Sequence, residues 1–201
     1  CLHTAGNPAY MAQKDASRKT KTRAYFKERK AFMSVLFFEI DALQRKAEKL
    51  GMQAAVRLNA TSDLPFEKRT VNINGADIGL MQAFPNVQFY DYTKVTKRAL
   101  AWAMGDMPQN YHLTFSKTES NDSDVRRVLS AGGNVAIVMS CKTYKAAMSA
   151  GLNAMQWDSI GHNHIIDGDA HDYRPADPKN VIVALKAKGD ARHDTSGFVL
   201  Q

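Results

Sequence analysis

From residue 54 onward, short apolar runs alternate with helix-patterned stretches. The runs are mostly continuous and do not alternate polar with apolar residues. Residues 135–139, Val-Ala-Ile-Val-Met, are the clearest of them. Strands buried on both faces read this way, because crossover helices cover a parallel sheet from outside. The strand-like runs are 54–58, 87–90, 111–115, 135–139, 165–166 and 181–185. Helical spacing marks 78–84, 95–104, 123–129 and 143–150. Two further helical stretches precede them, one from about residue 9 and one over 25–50. In the second, Phe32, Leu36, Ile40 and Leu43 recur at three- and four-residue steps.

This pattern predicts an α/β fold, a partial or closed β/α barrel of parallel strands with a helical N-terminal segment. A doubly wound open sheet would have the same pattern and differ only in strand order. No Pro/Ser linker or low-complexity stretch divides the chain. A single α/β domain is expected over 1–201, with a basic helical segment at 1–50 and βα repeats over 51–201.

Either architecture binds ligands beyond the carboxyl ends of its strands. The polar clusters fall there: Asn59, Thr61, Ser62 and Asp63 after the first strand, then Asp91, Tyr92, Thr93 and Lys94, then Ser116, Lys117, Thr118 and Glu119. Ser140 and Cys141 follow the fourth strand. The loops at the opposite ends, such as Leu50-Gly51-Met52 and Pro85-Asn86, are plain turn material. Asp63, Asp91 and Glu119 are therefore the candidate catalytic acids, since converging carboxylates hold a metal or shift one another's pKa. Arg57, Lys94, Lys117, Arg174 and Lys186 are the candidate anion binders. The plainer reading pairs each acid with a neighbouring base at the rim.

Residues 161–174 gather imidazoles and carboxylates. His162 and His164 are two apart, as are Asp167 and Asp169, and His171 follows. That donor set suits a divalent metal such as Zn, Mn or Fe(II). The spacing matches no standard zinc motif, and the alternative is a polar loop whose aspartates cap turns and pair with Arg174. GxGxxG and GxxxxGK[ST] do not occur, so the common dinucleotide and P-loop signatures are missing.

Composition narrows the partners. Lys and Arg number 27 against 20 acids, a formal net charge of +7 and a pI near 9.4. An excess of this kind favours anionic partners, nucleic acid or a phosphorylated small molecule. The basic run from Lys14 to Arg29, with Tyr25 and Phe26 interleaved, offers a second class of function, a non-catalytic nucleic-acid-binding module. No run approaches the ~20 apolar residues of a spanning helix. Two cysteines make no disulfide framework, and no secretory signal opens the sequence, so a host-cell cytoplasm is the expected compartment. Cys1 stands where an initiator Met would, as in a processed or trimmed chain, and could serve as an N-terminal nucleophile. The βα alternation argues against the sandwich fold such hydrolases use. Cys141 and Trp102 read as packing residues, as does Trp157.

Several segments also carry a resemblance. Arg57-Leu58-Asn59-Ala60-Thr61-Ser62-Asp63-Leu64-Pro65, Phe89-Tyr90-Asp91-Tyr92-Thr93-Lys94, Tyr111-His112-Leu113-Thr114-Phe115-Ser116, Ile166-Asp167-Gly168-Asp169 and Val183-Ala184-Leu185-Lys186-Ala187-Lys188-Gly189 resemble an uncharacterised family encoded largely by phages and mobile elements. That family is distantly similar to barrels of the radical S-adenosylmethionine type. The resemblance implies a β/α barrel and an iron–sulfur cluster on three closely spaced N-terminal cysteines. This chain departs from the pattern, since a cubane cluster needs three or four thiolates and only Cys1 and Cys141 are present.

Overall fold

The computed structural model describes residues 12–150 and 164–201. Two helices lead, α1 (Ala12–Lys27) and α2 (Arg29–Lys49), separated at Glu28. α2 buries Met33, Ile40 and Ala47, with Phe32, Leu36 and Phe37 packed against the same core. The expected stripe is thus turned slightly about the helix axis, and Leu43 at its far end stands 40% exposed.

Six parallel strands follow: β1 (Ala55–Val56), β4 (Gln88–Thr93), β5 (Tyr111–Ser116), β6 (Asn134–Met139), β7 (Ile165–Asp167) and β8 (Ile182–Lys186). The remaining two, β2 (Thr70–Ile73) and β3 (Ala76–Gly79), pair antiparallel as a separate hairpin. The main sheet runs in the order β1-β4-β5-β6-β8-β7, open at β1 and β7. Parallelism and the stepwise advance from β1 to β6 match the expected partial barrel. The last two strands depart from simple succession, because β8 inserts between β6 and β7.

Helices α3 (Thr96–Ala103), α4 (Asp122–Ser130) and α5 (Cys141–Ala150) connect successive strands. Crossovers that advance in one direction keep one hand, and so place their helices on one face. Ala99, Val125, Val128, Leu129, Tyr144 and Ala147 accordingly pack against Phe115, Val135, Ile137, Met139, Ile182 and Ala184. α2 packs on β2 of the hairpin and joins the apolar cluster that holds Phe89, Tyr111 and Leu113 on the same face. Burying each such large apolar side chain stabilises by about 1.5–3 kcal/mol. The opposite face carries Tyr92, Ala136, Ile166, Val183 and Leu185. A 3-10 turn at Arg174–Ala176 lies across it, against β4 and β5.

One predicted element is corrected. Residues 78–84 are not a helix: β3 occupies Ala76–Gly79 and turns follow. Asn74 and Gly75 both have positive φ, 52° and 87°, the primed turn that two-residue hairpins require. The Asn-Gly pair outweighs the helix-like spacing of Ile78, Leu80 and Met81. Trp102 fills a gap the sheet leaves. β6 enters opposite Thr114, after the start of β5, so the Tyr111 carbonyl faces no strand and accepts from Trp102 Nε1 at 2.7 Å. No helix among the described residues is long and apolar enough to cross a membrane.

Candidate functional site

Asp63 and Asp91 meet in one network on the helix-covered side. Strand alternation turns Phe89, Asp91 and Thr93 inward, toward the helices. Asp91 accepts from Asn59 backbone N–H at 2.7 Å, from Asn59 Nδ2 at 3.1 Å and from the Tyr111 hydroxyl at 3.2 Å. Burial outweighs these donors and pushes its carboxyl up to about 6. Arg98 of α3 donates to Tyr111 Oη at 3.0 Å and makes a two-point pair with Glu67, at 2.9 and 2.8 Å. It also pairs with Asp63. Asp63 accepts from Thr93 Oγ1 at 2.9 Å and from Lys94 backbone N–H at 2.8 Å, tying the 57–68 segment to the start of α3. Asp63 therefore follows the plainer expectation, a rim acid held by a base. Glu119 stands apart from both, exposed, with Ser196 Oγ at 3.5 Å.

The face opposite α3, α4 and α5 carries two of the candidate anion binders, Arg57 and Arg174. The Arg57 guanidinium lies 4.7 Å from the ring centre of Tyr92. Arg174 is fully buried, and its charge acts on the same phenol. Burial nevertheless dominates and raises the Tyr92 hydroxyl above its ordinary value. Arg174 donates through Nη2 to the His171 carbonyl and pairs with Asp177, whose Oδ2 is 3.2 Å from Nη1. Nε of Arg57, Nε and Nη1 of Arg174 and both carboxylate oxygens of Asp177 are buried without a hydrogen-bond partner among the described residues. Burial raises the Asp177 carboxyl, and Arg174 and then His171 oppose it. His112, on the same face, is held down to about 4 by burial, then by Arg174 and Lys179. Tyr90 and Tyr173 meet edge to face at 5.7 Å nearby.

The other predicted cations are dispersed. Lys94 lies over the Phe198 ring at 5.7 Å and Lys186 over the Tyr144 ring at 4.6 Å. Lys117 is buried and spent on Asp122 at 3.1 Å and the Thr118 carbonyl at 3.0 Å. At the end of β7, Tyr144 donates to Asp167, and this bond above all holds the Asp167 carboxyl below its ordinary value. Asp169 pairs with Lys188 at 2.8 Å and accepts from Lys186 backbone N–H at 3.2 Å. His164 is exposed, and His171 turns toward Asp177, 3.6 Å away. Among the described residues, no three His, Cys, Asp or Glu side chains are grouped to hold a metal ion. His162, Cys1 and Trp157 lie outside those residues. Cys141, expected to be packed, is exposed as the first residue of α5.

The strand ends are partly closed by the C-terminal segment. Ser140 N–H donates to Leu200 O at 2.8 Å, and Leu200 N–H to Val138 O at 2.9 Å. A shallow, open depression lies instead at the other ends of the strands, among Gln44, Glu48, Met52, Ala54, Pro85 and Asn86. Sequence reasoning passed over Arg98 and Glu67, because a basic residue in a helix ordinarily faces water. The detectable signal was position: Arg98 adjoins Ala99 and is spaced four from Trp102, on the buried side of α3.

No curated protein and no solved structure matches the chain. The profile of one family, described as Gene product 88, matches residues 1–201, and the chain is a phage-type protein belonging to that family.

Proposed function

We propose that the protein binds an anionic substrate of nucleotide type on the face of its partial barrel opposite α3, α4 and α5, toward the strand C-terminal ends. The observation that carries this reading is the Arg57 guanidinium over the Tyr92 ring with its buried Nε–H unspent, together with Arg174, buried on the same face with Nε and Nη1 unspent beside the Asp177 carboxylate. Buried guanidinium donors without acceptors are costly unless an anion takes them up. Tyr173, 37% exposed and edge to face with Tyr90, supplies ring surface for a base, which favours a nucleotide over free phosphate. Arg57 would hold phosphate, since Arg174 already shares its charge with Asp177. An iron–sulfur cluster does not fit the residues of this chain, which offers Cys1 and Cys141 alone.

Calorimetric titration of the full chain with ATP, ADP and inorganic phosphate tests the proposal. Nucleotides should bind more tightly than phosphate. Arg57→Gln should weaken nucleotide binding by about tenfold or more, the worth of a charge-assisted hydrogen bond. Equal affinity in a folded Arg57→Gln protein, or phosphate binding as tightly as ADP, would overturn it.

A further inference from the structure

We infer that α1 is a docking surface for the phosphate backbone of a nucleic acid. Its sequence, AQKDASRKTKTRAYFK, sets six cations against one acid, in a chain whose formal net charge is +7. Tyr25 is the one described residue of α1 that is buried. It anchors the last turn: its ring meets Phe32 at 5.5 Å and Phe66 at 5.7 Å, and its hydroxyl accepts from Arg69 Nε at 2.9 Å. The preceding turns have no core to lie on. A helix polar all round is not held by burial of an apolar face, so something else must account for its composition.

Asp15 pairs with Arg18 at 3.8 Å on the surface, a pair worth little. Lys19, Lys21, Arg23 and Lys27 are exposed and have no acidic partner among the described residues. Lys19, Arg23 and Lys27 are spaced four apart and share one stripe, while Lys21 stands on the far side of the helix, so positive charge faces out in two directions and neither side is apolar. That distribution suits a flexible, regularly charged strand. It does not suit a membrane surface, which would require an apolar face opposite the charges. Phe26 adds a second recognition element. It is 62% exposed, between Tyr25 and Lys27, where a base could stack on it.

The test uses the full chain and two fluorescein-labelled probes of about 20 nucleotides, single-stranded and duplex, read by anisotropy between about 50 and 200 mM salt. Binding should fall with salt, with a log–log slope near −3 to −4 if about four phosphates are neutralised. Replacing Lys19, Lys21, Arg23 and Lys27 together by Gln should lower affinity at least about tenfold and flatten that slope. Far-UV circular dichroism checks that α1 survives. Phe26→Ala should weaken the single-strand complex and leave the duplex complex unchanged. The inference is overturned if the quadruple variant binds with the original slope, or if the unmodified chain binds neither probe. Binding to phosphatidylserine vesicles in place of either probe overturns it as well.

Discussion

Asn59 and Asp91, 32 residues apart, are joined by two hydrogen bonds, one from the Asn59 backbone N–H and one from its side-chain amide. The side-chain Oδ1 of Asn59 accepts from Leu64 N–H at 2.9 Å and from Ser62 Oγ at 2.8 Å. The loop leaving β1 is thus folded around a carboxylate from the neighbouring strand. The same loop begins at Arg57, so the network that fixes Asn59 also fixes where Arg57 meets Tyr92.

Asp91 should make stability depend on pH. The unfolded chain releases this proton near 3.8 and the folded chain near 6. Within that window the folded state binds more protons, so stability falls as pH rises, by on the order of 3 kcal/mol in all. Asp91→Asn should remove that component. Urea titrations at several pH values between 4 and 7 would check it: the wild-type-minus-variant difference should change across the window and be flat above it. A difference independent of pH contradicts the assignment.

Arg98 should be the costliest single charge to remove. Its guanidinium holds Glu67, 4% exposed, together with Asp63 and Tyr111. Arg98→Met leaves a buried carboxylate unpaired, and the expected loss is about 3–5 kcal/mol. Adding Glu67→Gln should recover part of it. Arg127→Met, which breaks the exposed pair with Asp124, should cost under about 1 kcal/mol. Chemical denaturation of the four proteins provides the comparison.

Much of the sheet was legible in the sequence. Runs such as Val135–Met139 are buried on both faces, and few other structures require continuous apolar residues over so short a length. Other features depend on pairing, which one sequence does not carry. Nothing in Ile182–Lys186 says that it inserts between β6 and β7. Ile78, Leu80 and Met81 imitate helical spacing, and only the Asn74-Gly75 turn gives the hairpin away. The site was legible in part. Of the five candidate anion binders, Arg57 and Arg174 lie on one face, while Lys94, Lys117 and Lys186 are spread over other partners. Glu67 and Arg98 were missed because their burial comes from packing between segments far apart in the chain.

Gly168 should tolerate no side chain. A Cβ there would lie 2.5 Å from Val183 Cγ1 and 2.7 Å from the Ala184 carbonyl oxygen. Gly168→Ala must push the β7 edge away from β8, at an expected cost of about 1–3 kcal/mol. The thermal midpoint should drop, and amide exchange should quicken in Ile165–Asp167 before the rest of the sheet. An unchanged midpoint would contradict the packing of that edge.

The Nε–H of Arg57, buried beside the Tyr92 ring, is the donor that a bound nucleotide would take up. Arginine side-chain 15N–1H spectra of the full chain, with Arg57→Gln supplying the assignment, follow it directly as ADP is added. The Arg57 resonance should shift to saturation along the same binding curve as the Tyr92 ring signals. An Arg57 resonance that stays in place while ADP saturates the protein would contradict the account.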